Sequence, residues 1–242
     1  MAYIAAISVL AFAVIATSCA ADTDLLQDIC VADLASGISN FNSFYIIYFT
    51  STLVLTLPWL ILVGTKVNGF VCKTNVSATD FFFDGLAKPG LTNTTSGAVV
   101  TGANVQKIPG LNTLGVSLAR IDYAPGGLNP PHTHPRATEV VFVLEGQLDV
   151  GFITTGNVLI SKSIKKGEIF VFPKGLVHFQ KNNGKEAAAV IAAFNSQLPG
   201  TQSLAATLFA ATPSVPDNVL TKAFQVGTKE IEKIKSRFAP KK

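Results

Sequence analysis

From Asn112 onward, apolar and polar positions alternate or fall into short apolar blocks, which is the pattern of strands rather than helices. Val116, Leu118, Ile121 and Tyr123 mark one expected strand. Leu148, Val150 and Phe152 alternate with Gln147, Asp149 and Gly151, as in a strand with one buried face. Residues 169–172 and 187–194 are apolar runs bounded by Gly, Pro or Asn, and they predict buried strands. Gly146, Gly156, Gly167 and Gly184 fall at the expected turns. Short strands at this spacing predict a sandwich, jelly roll or barrel.

The period changes near the carboxyl end. Residues 203–211 and 217–224 read as helices, and Ile231, Ile234 and Phe238 recur at helical spacing among charged residues. The expected fold class is therefore all-β with a small α tail. Such a tail can serve as an oligomer contact or pack on its own barrel.

Composition is apolar for a secreted or soluble chain, with 48% hydrophobic and 14% charged residues. Two segments account for much of this. Residues 1–21 carry no charge and join a short apolar core to the small-residue exit Ser18-Cys19-Ala20-Ala21, as in a secretory signal peptide. The remaining 22–242 is expected to form one domain. Residues 44–63 are apolar enough to cross a bilayer, and a membrane association is implied only if that run is a genuine anchor. No charge occurs between Asp33 and Lys66, and residues 37–65 read as an atypical apolar insertion. Removing it joins Ala35-Ser36 to Lys66-Val67.

Loss of the signal peptide removes Cys19 and leaves Cys30 and Cys72, an even pair that implies one disulfide in an oxidising compartment. The sequons at Asn75 and Asn93 are candidate glycosylation sites in the same compartment. A formal charge of +4, with Lys162, Lys165 and Lys166 close together, allows weak attraction to cell-wall polyanions. No sequence feature calls for nucleic acid.

The chain has three histidines, all set in two Gly/Pro-framed clusters. His132 and His134 are two apart, which puts both imidazoles on one face of an extended segment. Glu139 has the wrong parity for an unbroken strand, so the chain must bend near Pro135 to bring its carboxylate round. In the second cluster the Pro173-Lys174-Gly175 turn delivers His178 to the start of the next strand. Three neutral imidazoles and a carboxylate suit a divalent first-row metal, without selecting which one.

The stretches 126–146 and 167–182 resemble the two cupin motifs, with every motif position filled. The text of 130–139 and 172–180 is more specific and resembles the germin and germin-like proteins of plants. So do 26–35, 80–83 and 194–197, and the resemblance spans nearly the whole mature chain outside about 37–65. It implies a jelly-roll β-barrel followed by carboxyl-terminal helices. It also implies Mn(2+) held by His132, His134, Glu139 and His178, and a disulfide matching Cys30 and Cys72. A homohexamer built as a trimer of dimers, resident in the apoplast or cell wall, follows from the same resemblance.

Three functions are open on this reading. Superoxide dismutation needs a redox metal with an open position and yields hydrogen peroxide from a small oxygen species, in keeping with a defence or wall-related role. Oxalate oxidation, as in the true germins, needs side chains that orient a dicarboxylate. The resemblance offers Asn129 as one such residue but places Ala119 where the second asparagine stands, which weighs against it. The third reading is a non-catalytic wall, storage or receptor-type metal-binding protein.

Overall fold

The computed structural model describes residues 29–35, 66–67 and 70–239. The leader at 1–21 and the apolar stretch at 37–65 lie outside the described residues. Among the described residues, no helix is long and apolar enough to cross a membrane.

The chain divides into two compact units. One takes the described residues up to Phe82 together with Val105–Gly115. Its strands β1 (Lys66–Val67) and β2 (Phe70–Val71) pair antiparallel. Ala32 bridges Cys72, and the Cys30–Cys72 disulfide closes beside that bridge. The Asn112 amide donates to the Cys30 carbonyl at 2.9 Å, satisfying a buried acceptor. Asn75 is exposed in this unit, and Asn93 is exposed in the other.

The second unit takes Phe83–Asn104 and everything from Val116 onward. It has ten strands: β3 (Ala98–Ala103), β4 (Ser117–Tyr123), β5 (Leu128–Thr133), β6 (Glu139–Glu145), β7 (Gln147–Ile153), β8 (Leu159–Lys165), β9 (Ile169–Phe172), β10 (His178–Lys181), β11 (Ala188–Phe194) and β12 (Gln202–Ser203). They form two five-stranded sheets, ordered β12-β5-β10-β7-β8 and β3-β4-β11-β6-β9, with antiparallel neighbours throughout. Ile121, Tyr123, Val141 and Val190 from one sheet and Leu148, Val150 and Ile164 from the other share a single core. This is the expected jelly roll. The β6–β7 turn is made by Gly146 at φ +75, where a side chain would also strike the Ala187 carbonyl at 2.7 Å.

One expectation needs correction. Residues 169–172 are not a buried strand: Ile169 is 60% and Val171 45% exposed. Side chains alternate across β9: Ile169 and Val171 point to the outer face of the sheet, while Phe170 and Phe172 turn to the core, Phe172 fully buried and Phe170 packed against it. The apolar run thus covers the core with one row of side chains and lines an outer sheet face with the other.

The tail forms helices α1 (Leu204–Phe209), α2 (Asp217–Phe224) and α3 (Thr228–Phe238). A left-handed Gln225 ends α2, and basic Lys235 and Arg237 sit in the last turn of α3, where the helix dipole favours them. Leu220 and Ile231 are the buried anchors of the two helices. Lys235 Nζ ties α3 to Ser214 Oγ at 2.9 Å and to Asp217 at the start of α2.

Candidate metal centre

His132 lies near the end of β5, and His134 follows just beyond it; both are buried. β5 contains Pro130 and Pro131, which have no N–H for a ladder. Its pairing with β10 accordingly shifts register between His178 and Gln180. His178 opens β10 and pairs directly with His132, which sets the second histidine cluster against the first. The parity conflict at Glu139 is resolved by a change of sheet. The chain turns over residues 135–138, and Glu139 opens β6 in the facing sheet. The ligand atoms of His132, His134, Glu139 and His178 all lie within 4.8 Å of one another.

The hydrogen bonds orient every ring. His132 Nδ1 donates to the Pro130 carbonyl at 2.7 Å, His178 Nδ1 to the Leu176 carbonyl at 2.8 Å, and His134 Nδ1 to the Gly200 carbonyl at 2.6 Å. A carbonyl only accepts, so the Nδ1 atoms carry the protons and each neutral ring keeps its lone pair on Nε2. Glu139 Oε2 stands 3.0 Å from Nε2 of His178 and 3.1 Å from Nε2 of His134. A buried carboxylate thus faces lone pairs, an arrangement that a shared cation relieves. Burial pushes the His132 imidazole down to about 4, with His178 adding to the effect, so His132 is neutral and able to ligate near pH 7. Burial alone would raise the Glu139 carboxyl, but wherever Nε2 of His134 and His178 carries a proton, its hydrogen bond and charge outweigh burial and hold the group down at about 2. Three imidazole nitrogens and one ionised carboxylate fit a divalent first-row metal.

Aromatic rings wall the group. Phe172 stacks on His178 with centroids 4.5 Å apart, and Phe194 meets His134 edge-on at 4.8 Å. Gln180, fully buried, forms the next layer. Its amide donates to Glu139 Oε1 at 3.3 Å, while its carbonyl accepts from Asn129 at 2.7 Å and from the Tyr123 hydroxyl at 3.3 Å. Burial, then the charge on Glu139, keeps the Tyr123 hydroxyl protonated well beyond its usual range. Gln180 is absent from the site expected on sequence, although it lies two residues beyond His178 on one strand and so shares its face. Asn129, the candidate substrate-orienting residue, lines the cavity but turns its amide to Gln180.

A cavity of about 150 Å³ opens beside His132, His134 and Glu139, which line it. Ala119, Ile121, Val100 and Phe194 supply much of its wall, with Asn129 and Thr201 among the polar residues. Its volume is that of about five water molecules at ~30 Å³ each.

Residues 84–232 match the cupin family, and the paired sheets with three histidines and a glutamate at their end belong to that class. The chain is 65% identical over 239 residues to germin-like protein 5-1 of Oryza sativa subsp. japonica, covering 98% of this chain and 96% of that one. It is 67% identical over 221 residues to the rhicadhesin receptor of Pisum sativum, covering 90% and 89%. A solved recombinant oxalate oxidase in complex with glycolate matches with a TM-score of 0.75 and 42% identity, covering 90% of this chain and 98% of that one. The chain belongs to the germin-like proteins.

Proposed function

We propose that this is a secreted, manganese-binding superoxide dismutase of the plant extracellular matrix, producing hydrogen peroxide there. The observation that carries the reading is the small, largely apolar cavity lined by His132, His134 and Glu139, with Ala119 in its wall and the Asn129 amide engaged by Gln180. That space suits a diatomic anion. A dicarboxylate would need polar side chains turned inward to orient it, and Ala119 has no donor to give.

His132, His134, Glu139 and His178 would hold the ion, and bound manganese supplies one-electron exchange between two oxidation states. Net, two superoxide ions and two protons become one dioxygen and one hydrogen peroxide. The carbonyls of Pro130, Gly200 and Leu176 keep the imidazoles turned inward. Gln180 holds Oε1 of Glu139, leaving Oε2 toward the ring nitrogens. Phe172 covers the ring of His178 and Phe194 that of His134, shielding those imidazoles from water.

Secretion after removal of residues 1–21 accords with the Cys30–Cys72 disulfide, since such bonds persist in oxidising compartments. Exposed Asn75 and Asn93 would carry glycans. Self-assembly into a homohexamer is supported by the outward apolar row of Leu118, Phe142, Ile169 and Val171, 43–60% exposed on one sheet. Exposed Lys162, Lys165 and Lys166 would favour wall polyanions.

The deciding experiment assays purified, manganese-loaded protein with superoxide, then repeats the assay after chelation and after reloading. Activity that follows the metal supports the reading. Full metal occupancy without dismutation would favour the non-catalytic binding protein, and hydrogen peroxide generated from oxalate would favour oxalate oxidase.

A further inference from the structure

The three histidines are oriented in two different ways. His132 and His178 each donate Nδ1–H to the carbonyl two residues earlier in the chain, at Pro130 on β5 and at Leu176 in the turn before β10. That geometry is built into the local chain. His134 instead donates to Gly200, 66 residues away, on the segment that follows β11. Its ring is therefore only as well placed as that segment.

Arg136 holds the segment in place. Its Nε donates to the Leu198 carbonyl at 2.7 Å, and its backbone N–H donates to the Pro199 carbonyl at 3.3 Å. Thr138 adds a bond from its N–H to Asn195 Oδ1 at 2.8 Å. Gly200 has φ +69, and a Cβ there would lie 2.7 Å from Arg136 Nη2, so the guanidinium lies against the residue whose carbonyl orients His134. Pro199 and Thr201, on either side of Gly200, line the cavity.

We propose that Arg136 is a positioning residue of the metal centre. By clamping residues 198–200 it fixes the Gly200 carbonyl against His134 Nδ1, and so sets the direction and donor strength of His134 Nε2. Partners that orient a metal-bound histidine change metal affinity about 10–100-fold when lost. Arg136 is exposed, so its truncation empties no core and strands no buried charge. The inference rests on the metal-centre reading above.

The test uses the full-length protein with Mn(II) as the probe. Affinity is measured by competition with a chelator, the electron paramagnetic resonance spectrum of the bound ion is recorded, and thermal stability is followed without metal. Arg136→Ala should weaken Mn(II) binding about tenfold or more and alter the spectrum, with little change in metal-free stability. Arg136→Lys restores one donor toward Leu198 and should recover part of the affinity. It also gives an independent reading should the alanine variant fold poorly. Wild-type affinity and spectrum in Arg136→Ala, even with lowered metal-free stability, would reduce Arg136 to a structural tie and overturn the inference. Wild-type protein that binds no Mn(II) would overturn the manganese reading as well.

Discussion

Glu139 Oε2 lies 3.0 Å from His178 Nε2, although the two residues are 39 positions apart and open strands of different sheets. With His178 Nδ1 bound to a carbonyl, both facing atoms are acceptors in the neutral ring. Manganese at 100 times its dissociation constant should therefore stabilise the fold by about 2.7 kcal/mol. The combined replacement of His132 and His178 by alanine should abolish both the uptake and the gain. Stoichiometric metal in that double variant would falsify the ligand assignment.

The metal-free protein should weaken as pH falls, because His132 titrates near 6.5 when unfolded but only near 4 in the fold. Between those values the unfolded chain binds more protons. Stability from this group is complete above about 6.5 and is lost progressively down to about 4, by roughly 3 kcal/mol. Urea unfolding at pH 7, 5.5 and 4.5 measures the slope. His132→Gln should flatten it, and an unchanged slope in that variant would assign the effect elsewhere.

Gln180→Leu keeps the volume but removes the acceptor for the Tyr123 hydroxyl and the donor to Glu139. Leaving the buried hydroxyl unpaired costs about 1–3 kcal/mol, and the freed carboxylate should bind metal with altered geometry. Denaturation with and without Mn(II) separates the two effects. A variant as stable as wild type, with an unchanged metal spectrum, would remove Gln180 from the centre.

The Cys30–Cys72 bond spans a sequence separation of 42, for which the chain-entropy relation gives about 4 kcal/mol at 25 °C. Cys72→Ser should lower stability by an amount of that order in non-reducing buffer. Wild-type protein treated with reductant should lose the same amount, and no loss in either case would mean the cross-link contributes nothing.

Residues 37–65 are expected to be an insertion between the two cysteines. Peptide mass mapping of the natural secreted protein checks this. Peptides that run from the Asp33 region directly into Lys66 are the expected outcome. Abundant peptides from 44–63 in the mature protein would count against it and return the membrane anchor to consideration.

Much of the centre was readable before folding because its signals are local. His132 and His134 share a face through the two-residue period of extended chain, and the Pro173–Gly175 turn announces the strand that His178 opens. Strands such as β7 were equally plain, since one buried face imposes strict alternation. The sequence by itself thus determined the ligand types, the β-rich class and the carboxyl-terminal helices. Only the tertiary structure decided that Glu139 reaches the histidines from the facing sheet, because parity along a strand says nothing about a chain that changes sheets. The exposure of Ile169 and Val171 was hidden for a related reason: an apolar run does not show which face of its sheet lacks a covering layer. The Gly200 carbonyl on His134 and the Asn129 amide on Gln180 were likewise invisible, because hydrogen bonds over 66 and 51 positions depend on where the folded chain returns.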